Sequence, residues 1–200
     1  MEAARLTTRQ ERHRTKTITS AVRRGLVVDA CRAALLHGLW TIAGAALNNT
    51  DVLTRRVVAS VLVAVAWLVN VYSLFTSYRL LGRDSEQSKH GETLLGLFFE
   101  ITSLMQAFGL SWCTVRLFAL DSSTDTGYAF LQQSFLTQLG TSIFEMSLVM
   151  TGVGWTATPP MTLGEMIVAW LTATVGGILL MNMFLVAVVL GRRGWWIDNH

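Results

Sequence analysis

Apolar residues along this chain gather into long runs nearly free of charge. Residues 57–78 and 166–190 carry no formal charge at all, and 93–115 is broken only by Glu100. A fourth run, 26–47, is more polar because it holds Asp29, Arg32 and His37. A helix needs about 20 consecutive apolar residues to cross the hydrocarbon core of a bilayer, so each run predicts a transmembrane helix. Asp29 and Arg32 are three residues apart and can pair on one helix face near the membrane edge.

The stretch 126–164 is also largely uncharged, yet it does not read as a span. It contains Gly140, the run Thr-Gly-Val-Gly-Trp-Thr at 151–156, and Pro159 and Pro160, the only prolines in the chain. Irregular backbone survives at membrane depth only where protein buries it or water bathes it. A short helix that enters the membrane and returns as a loop meets that condition. The pattern therefore predicts an all-α membrane protein with four transmembrane helices and a re-entrant segment between the third and fourth.

The basic residues give the direction. Arg5, Arg9, Arg12, Arg14, Lys16, Arg23, Arg24, Arg79, Arg83, Lys89, Arg192 and Arg193 fall on one side of these spans. Arg55, Arg56 and Arg116 fall on the other, and Arg32 lies within the first span. Short loops rich in Arg and Lys stay cytosolic, so both termini are expected in the cytosol, in a plasma-membrane protein. The segment 1–25 reads as a positive-inside anchor, with a mitochondrial presequence as the alternative, since Glu2 and Glu11 are its only acids. No secretory signal is expected ahead of the first span, and Asn48-Asn49-Thr50 forms a glycosylation sequon hard against the outer membrane surface.

Composition narrows the function classes. Of 200 residues, 52% are hydrophobic and 14% charged, against about a quarter charged in soluble domains. A net charge of +3 does not indicate nucleic-acid binding. Cys31 and Cys113, both in apolar runs, and four scattered histidines offer no disulfide scaffold and no metal-ligand set. Without paired acids or a nucleophile beside a base, no enzyme is expected and no cofactor.

The chemistry concentrates in the re-entrant segment. Residues 136–150 suit a helix about 22 Å long at about 1.5 Å per residue, and its C-terminal end aims partial negative charge inward. Gly152, Val153 and Gly154 follow at once, and glycines permit backbone conformations that turn carbonyls toward one line, as in selectivity filters. Gly176 and Gly177 sit in the middle of the last run, where a helix can bend or pack closely.

This order of outer helix, pore helix, loop and inner helix resembles the pore-loop cation-channel superfamily over residues 93–191, about half of the chain. Residues 152–157, with Pro160 and Gly164 behind them, align with the potassium-channel filter Thr-Val-Gly-Tyr-Gly-Asp. They keep Val153, Gly154 and the aromatic position at Trp155, and lack the threonine, the second glycine and the aspartate. Residues 151–155 equally resemble the Thr-Gly-Glu-Gly-Trp loops of voltage-gated calcium and sodium channels, with Val153 in place of the selectivity carboxylate. The stretch 179–185, with Asn182, is similar to the inner helix of that branch.

The resemblance implies an outer helix 93–115, a pore helix 136–150, a filter of Thr151, Gly152, Val153, Gly154, Trp155 and Thr156, an inner helix 166–190 and a cytosolic tail 192–200. Two further helices, within 26–78, precede this module. The permeant ion is expected to be monovalent, K+ or Na+, since no carboxylate ring is available for a divalent ion. No helix carries Arg or Lys every third residue, so intrinsic voltage gating is not expected. One pore loop cannot enclose an ion path, which implies a homotetramer in the bilayer. A non-conducting accessory subunit of a larger membrane complex is the alternative reading.

Single residues carry competing roles. Glu145 is either a carboxylate tuning the filter or a buried acid paired with Gln138, Thr141 or a neighbouring chain. Glu165 is either one of four acids at the outer mouth or a solvated acid at a helix start. Glu100 is expected to pair with a partner, and Asn182 to hydrogen-bond between subunits and affect gating. Trp195 and Trp196 read as interfacial anchors behind Arg192 and Arg193.

Overall fold

The computed structural model describes residues 26–81, 90–119, 125–154 and 162–197. Within these residues the chain is entirely helical outside its turns. The helices are α1 (Leu26–Ala46), α2 (Val52–Leu81), α3 (His90–Ala119), α4 (Asp125–Gln132), α5 (Phe135–Met150) and α6 (Leu163–Ile197). The basic segment 1–25, Trp155, Thr156 and residues 198–200 lie outside the described residues.

Local chemistry sets several helix starts. Asp51 stands just before α2 and accepts from the Thr54 amide at 3.2 Å and the Thr54 hydroxyl at 2.6 Å, the usual service of an N-cap. These bonds hold the Asp51 carboxyl below the ordinary aspartate range. Ser134 caps α5 by accepting from the Thr137 amide at 3.1 Å. Thr162 and Glu165 form a reciprocal box at the start of α6. The Thr162 amide donates to Glu165 Oε2 at 2.9 Å, and the Glu165 amide donates to Thr162 Oγ1 at 3.3 Å.

Three of the described helices are long and apolar enough to cross a membrane: Leu26–Ala46, Val52–Ser73 and Leu163–Asn182. This is a membrane protein by that measure. Two of these helices bury only a narrow stripe. In α2 the stripe is Ala59, Leu62, Ala66 and Asn70, and in α6 it is Glu165, Ala169 and Thr172. Leu53, Val57, Val61 and Leu68 of α2, and Ile167, Trp170, Met181 and Phe184 of α6, are exposed. So much apolar surface suits lipid and not water. Hydroxyls on these helices are satisfied within them, as where Ser60 donates to the Arg56 carbonyl at 2.9 Å and Thr174 to that of Trp170 at 2.8 Å.

α3 is different, and it is not among the three apolar helices although it spans 30 residues. Glu100, Gln106, Ser111 and Arg116 lower its hydropathy. It can carry them because it is the axis of the bundle, packing against α2, α5 and α6, with Ala107, Phe108, Leu110, Trp112, Cys113 and Leu117 all buried. The Gln106 amide reaches α1, accepting from Trp40 Nε1 at 3.2 Å and donating to the Ala33 carbonyl at 3.4 Å. On the α2 side, Trp67 Nε1 donates to Ser111 Oγ at 3.0 Å.

The observed elements extend the expected ones. α6 continues helical to Ile197, past the expected end at 190 and into what the sequence assigns to the tail. α4, eight residues long, was not expected. α5 begins one residue before the expected pore helix.

Candidate functional site

α5 is seated by close backbone approach. Three of its residues, seven apart, each fill the notch above a glycine on a different helix: Leu136 over Gly44 of α1, Ile143 over Gly109 of α3, and Met150 over Gly176 of α6. A Cβ on Gly109 would lie 2.6 Å from Ile143 Cγ1, and one on Gly176 would lie 2.7 Å from Met150 Cγ and strike the Met150 carbonyl oxygen. Neighbouring Gly177 has nothing within 4 Å. The two glycines that the sequence could not tell apart therefore separate. Gly176 lets α6 meet the end of α5, and Gly177 faces outward.

The direction of α5 follows from its contacts. Near its start, Gln138 is fully buried, its side-chain amide donating to the Phe130 carbonyl at 2.7 Å and its oxygen accepting from Arg55 Nη1 at 3.3 Å. Arg55 also donates to the carbonyls of Asn48, Thr50 and Gln133 at 2.8, 3.1 and 2.9 Å. It thereby gathers the α1–α2 turn and the α4–α5 turn at one end of the bundle. Arg56 donates to the Leu117 carbonyl at 2.6 Å at that same end. Further along, Met146 Sδ accepts from Thr172 Oγ1 at 3.6 Å, and Met150 reaches Gly176. The last turn of α5 thus lies beside the middle of α6, while the first turn of α6 is tied back to Arg116 at the end of α3.

The loop after α5 is turned back on the helix. The amides of Thr151, Gly152 and Val153 donate to the carbonyls of Ser147, Val149 and Leu148 at 3.0, 3.2 and 3.0 Å, and that of Gly154 to Leu148 at 3.3 Å. Among the described residues no hydrogen bond ends on a carbonyl of Thr151, Gly152, Val153 or Gly154. Gly152 (φ 77°) and Gly154 (φ 97°) have left-handed φ values that non-glycine residues rarely adopt, and Val153 between them is 71% exposed. Together these features turn four amide donors of the loop back onto the helix.

Glu145 is a largely buried, paired acid whose partners differ from those expected, and Glu165 is placed differently from either of its readings. Arg116 joins them, with Nη1 3.0 Å from Glu145 Oε2 and Nε 3.1 Å from Glu165 Oε1. Trp112 Nε1 donates to the same Glu145 oxygen at 2.8 Å. Glu165 is 1% exposed, so it is neither a solvated helix-start acid nor an acid open to the outer mouth. Its second oxygen accepts from the Thr162 amide and hydroxyl at 2.9 and 3.1 Å. Glu145 is paired with α3, not with Gln138 or Thr141. The Arg116 guanidinium also stacks over Trp112, 4.8 Å from the ring centroid.

One cation thus serves two carboxylates with several neutral donors, and ties α3, α5 and α6 together behind the loop. The shared guanidinium and the burial make this a strut that costs much to break. The sequence placed Arg116 only as a topology marker. Its sole local signal was a lone arginine in the last turn of a long apolar helix.

Asn182 lies exposed on α6. Asp29 and Arg32 pair as expected, at 3.6 Å, and Glu100 lies within electrostatic reach of both. Among the described residues no group of three or more His, Cys, Asp or Glu is placed to hold a metal. Comparison with known protein families, curated proteins and solved structures finds no match for the chain.

Proposed function

We propose that the chain is the pore-forming subunit of a tetrameric channel for monovalent cations, potassium foremost, without intrinsic voltage gating. In this reading α1, α2, α3 and α6 cross the bilayer with both termini in the cytosol. α5 is a re-entrant pore helix, the loop from Thr151 is the filter and α6 is the inner helix.

The observation that supports it best is the combination of path and polarity in α5 and its loop. α5 has 16 residues, about 24 Å, too short for a hydrocarbon core of about 30 Å. It starts at the end of the bundle where Arg55, Arg56 and Arg116 lie, stops beside the middle of α6, and is followed by a return to that same end. Its loop offers successive backbone oxygens from two left-handed glycines, the kind of ligand that replaces an ion's hydration shell. Monovalent ions are favoured because the acids next to the loop are engaged. Glu145 and Glu165 are held by Arg116, and Val153 carries no charge, so no free carboxylate ring is offered to a divalent ion.

Flux of K+, Na+ and Ca2+ into proteoliposomes, with the Gly154→Val variant beside the wild type, tests the reading. A β-branched residue is strained at φ 97°, so monovalent flux should fall to background while the protein still folds. Flux unchanged by the substitution would remove the loop from the path. No flux of any ion through folded wild-type protein would favour the accessory-subunit reading.

A further inference from the structure

A second cluster of one arginine and two carboxylates lies at the opposite end of the bundle from Arg116, where α1 and α3 begin. Its members are Asp29 and Arg32 of α1 and Glu100 of α3. Arg116 hydrogen-bonds both of its carboxylates, and Arg32 hydrogen-bonds neither of its own. Arg32 is 8% exposed, yet Nε, Nη1 and Nη2 have no hydrogen-bond partner, and its ion pair with Asp29 Oδ1 is 3.6 Å long. One turn beyond Glu100 on α3, Ser103 is fully buried and its hydroxyl also has no partner. Helical hydroxyls nearby, those of Thr102, Ser111 and Thr114, each donate to a carbonyl four residues back, so Ser103 is turned elsewhere.

Ser103 faces the seam between α1, α2 and α3. Its carbonyl receives the Asn70 amide of α2 at 3.5 Å, and Gln106, on the same side of α3, holds the Ala33 carbonyl of α1. Buried donors without acceptors cost about 1–3 kcal/mol each, and more when charged. A group that supplies both acceptors to a guanidinium and donors to carboxylates removes that cost, and water does both.

We propose that Arg32, Asp29, Glu100 and Ser103 enclose a hydrated site within the membrane, in which bound water bridges the guanidinium to the two carboxylates and the serine hydroxyl. The partly exposed Asp29 side is its entrance from the end where α1 and α3 begin. The site is separate from the glycine loop and stands whether or not that loop conducts.

Thiol accessibility reads hydration directly, because methanethiosulfonate reagents attack the thiolate, which forms in water and not in lipid. In a Cys31→Ser/Cys113→Ala background, the rate of modification by methanethiosulfonate-ethylammonium is compared between Ser103→Cys and Leu68→Cys, whose side chain is exposed on the apolar face of α2. Ser103→Cys should react roughly tenfold faster or more, and adding Arg32→Met should bring it down to the Leu68→Cys rate. Equal rates for the two cysteines would overturn the site, as would a Ser103→Cys rate indifferent to Arg32→Met. Should Ser103→Cys fail to fold, Gly96→Cys serves with the same two outcomes, since a Cβ there has only Asp29 Oδ2, at 4.0 Å, within reach.

Discussion

Gly176→Ala and Gly177→Ala are chemically identical changes one residue apart, and the structure gives them opposite signs. In a helix interior, glycine to alanine is worth about 1 kcal/mol of stabilisation, and Gly177 is free to realise it because nothing lies within 4 Å. At Gly176 the new methyl would sit 2.7 Å from Met150 Cγ and 2.8 Å from its carbonyl carbon. The methionine side chain can move, but the backbone of the last turn of α5 cannot move without displacing the loop that hangs from it. Overpacking of this kind costs about 1–3 kcal/mol, and because the helix term is the same at both positions it cancels, so the two variants should differ by about 1–3 kcal/mol. Thermal unfolding of the protein in detergent, followed by circular dichroism, reads the difference. Gly177→Ala should melt at or above the wild type and Gly176→Ala well below it, with flux lost in the latter. Equal melting temperatures, or a reversed order, would refute the packing of α5 against α6. A Gly177→Ala protein that melts normally but loses its oligomer would place a neighbouring copy on that face.

Arg116→Met leaves two buried carboxylates without their cation and should destabilise by about 3–5 kcal/mol. The Arg116→Met/Glu145→Gln/Glu165→Gln variant should recover most of that in the same melt, and a triple variant no better than the single one would show that the ion pairs are not the cause. Asp51 has its carboxyl lowered by Thr54, so the stability it lends is complete above the ordinary aspartate value and is lost as pH falls through the lower folded one. The melting difference between wild type and Asp51→Ala should therefore be constant at neutral pH and shrink on acidification below pH ~4; a gap that widens there would reverse the sign. Val153→Glu places a carboxylate in the exposed centre of the loop and should bring block of monovalent flux by Ca2+, which wild type lacks; flux equally insensitive to Ca2+ in both would separate Val153 from the ion path.

What the sequence discloses and what it hides divide along physical lines. The end of α5 at residue 150 is legible because glycines follow it at 152 and 154, a local effect. The Asp29–Arg32 pair is legible because residues three apart share a helix face. The Thr162–Glu165 box that starts α6 is hidden, because the charge pattern alone begins the helix at 166 and leaves Glu165 as a solvated helix-start acid or one at the outer mouth. Its burial depends on Arg116, 49 residues earlier, and no spacing rule connects the end of one helix to the start of another. Gly176 and Gly177 are indistinguishable until α5 lies against one of them. α4 escapes notice because its eight residues are too few for a span and lie almost wholly within the longer, largely uncharged stretch 126–164. Gln138 illustrates the same limit, for a lone polar residue in an apolar helix says that a partner exists and not that it is Arg55.

The outer cluster bears on how a loop without a carboxylate would prefer cations. One arginine between two glutamates leaves a net charge of −1 in each chain, buried and held in place by Trp112 and Thr162. Glu145 precedes Gly152 by seven residues, about 10 Å along the helix axis. At that distance, with an effective dielectric of about 20, the residual charge attracts a monovalent cation by about 1.7 kcal/mol. Four such chains around one axis, as proposed, would add their fields at the loop. That would favour cations over anions, and because Val153 puts no carboxylate in the loop itself the loop would not hold a divalent ion in place. The arrangement separates two tasks that a glutamate in the loop would combine. In the proposed channel, charge selection would come from a fixed cluster behind the filter, and coordination from the backbone of Thr151 to Gly154.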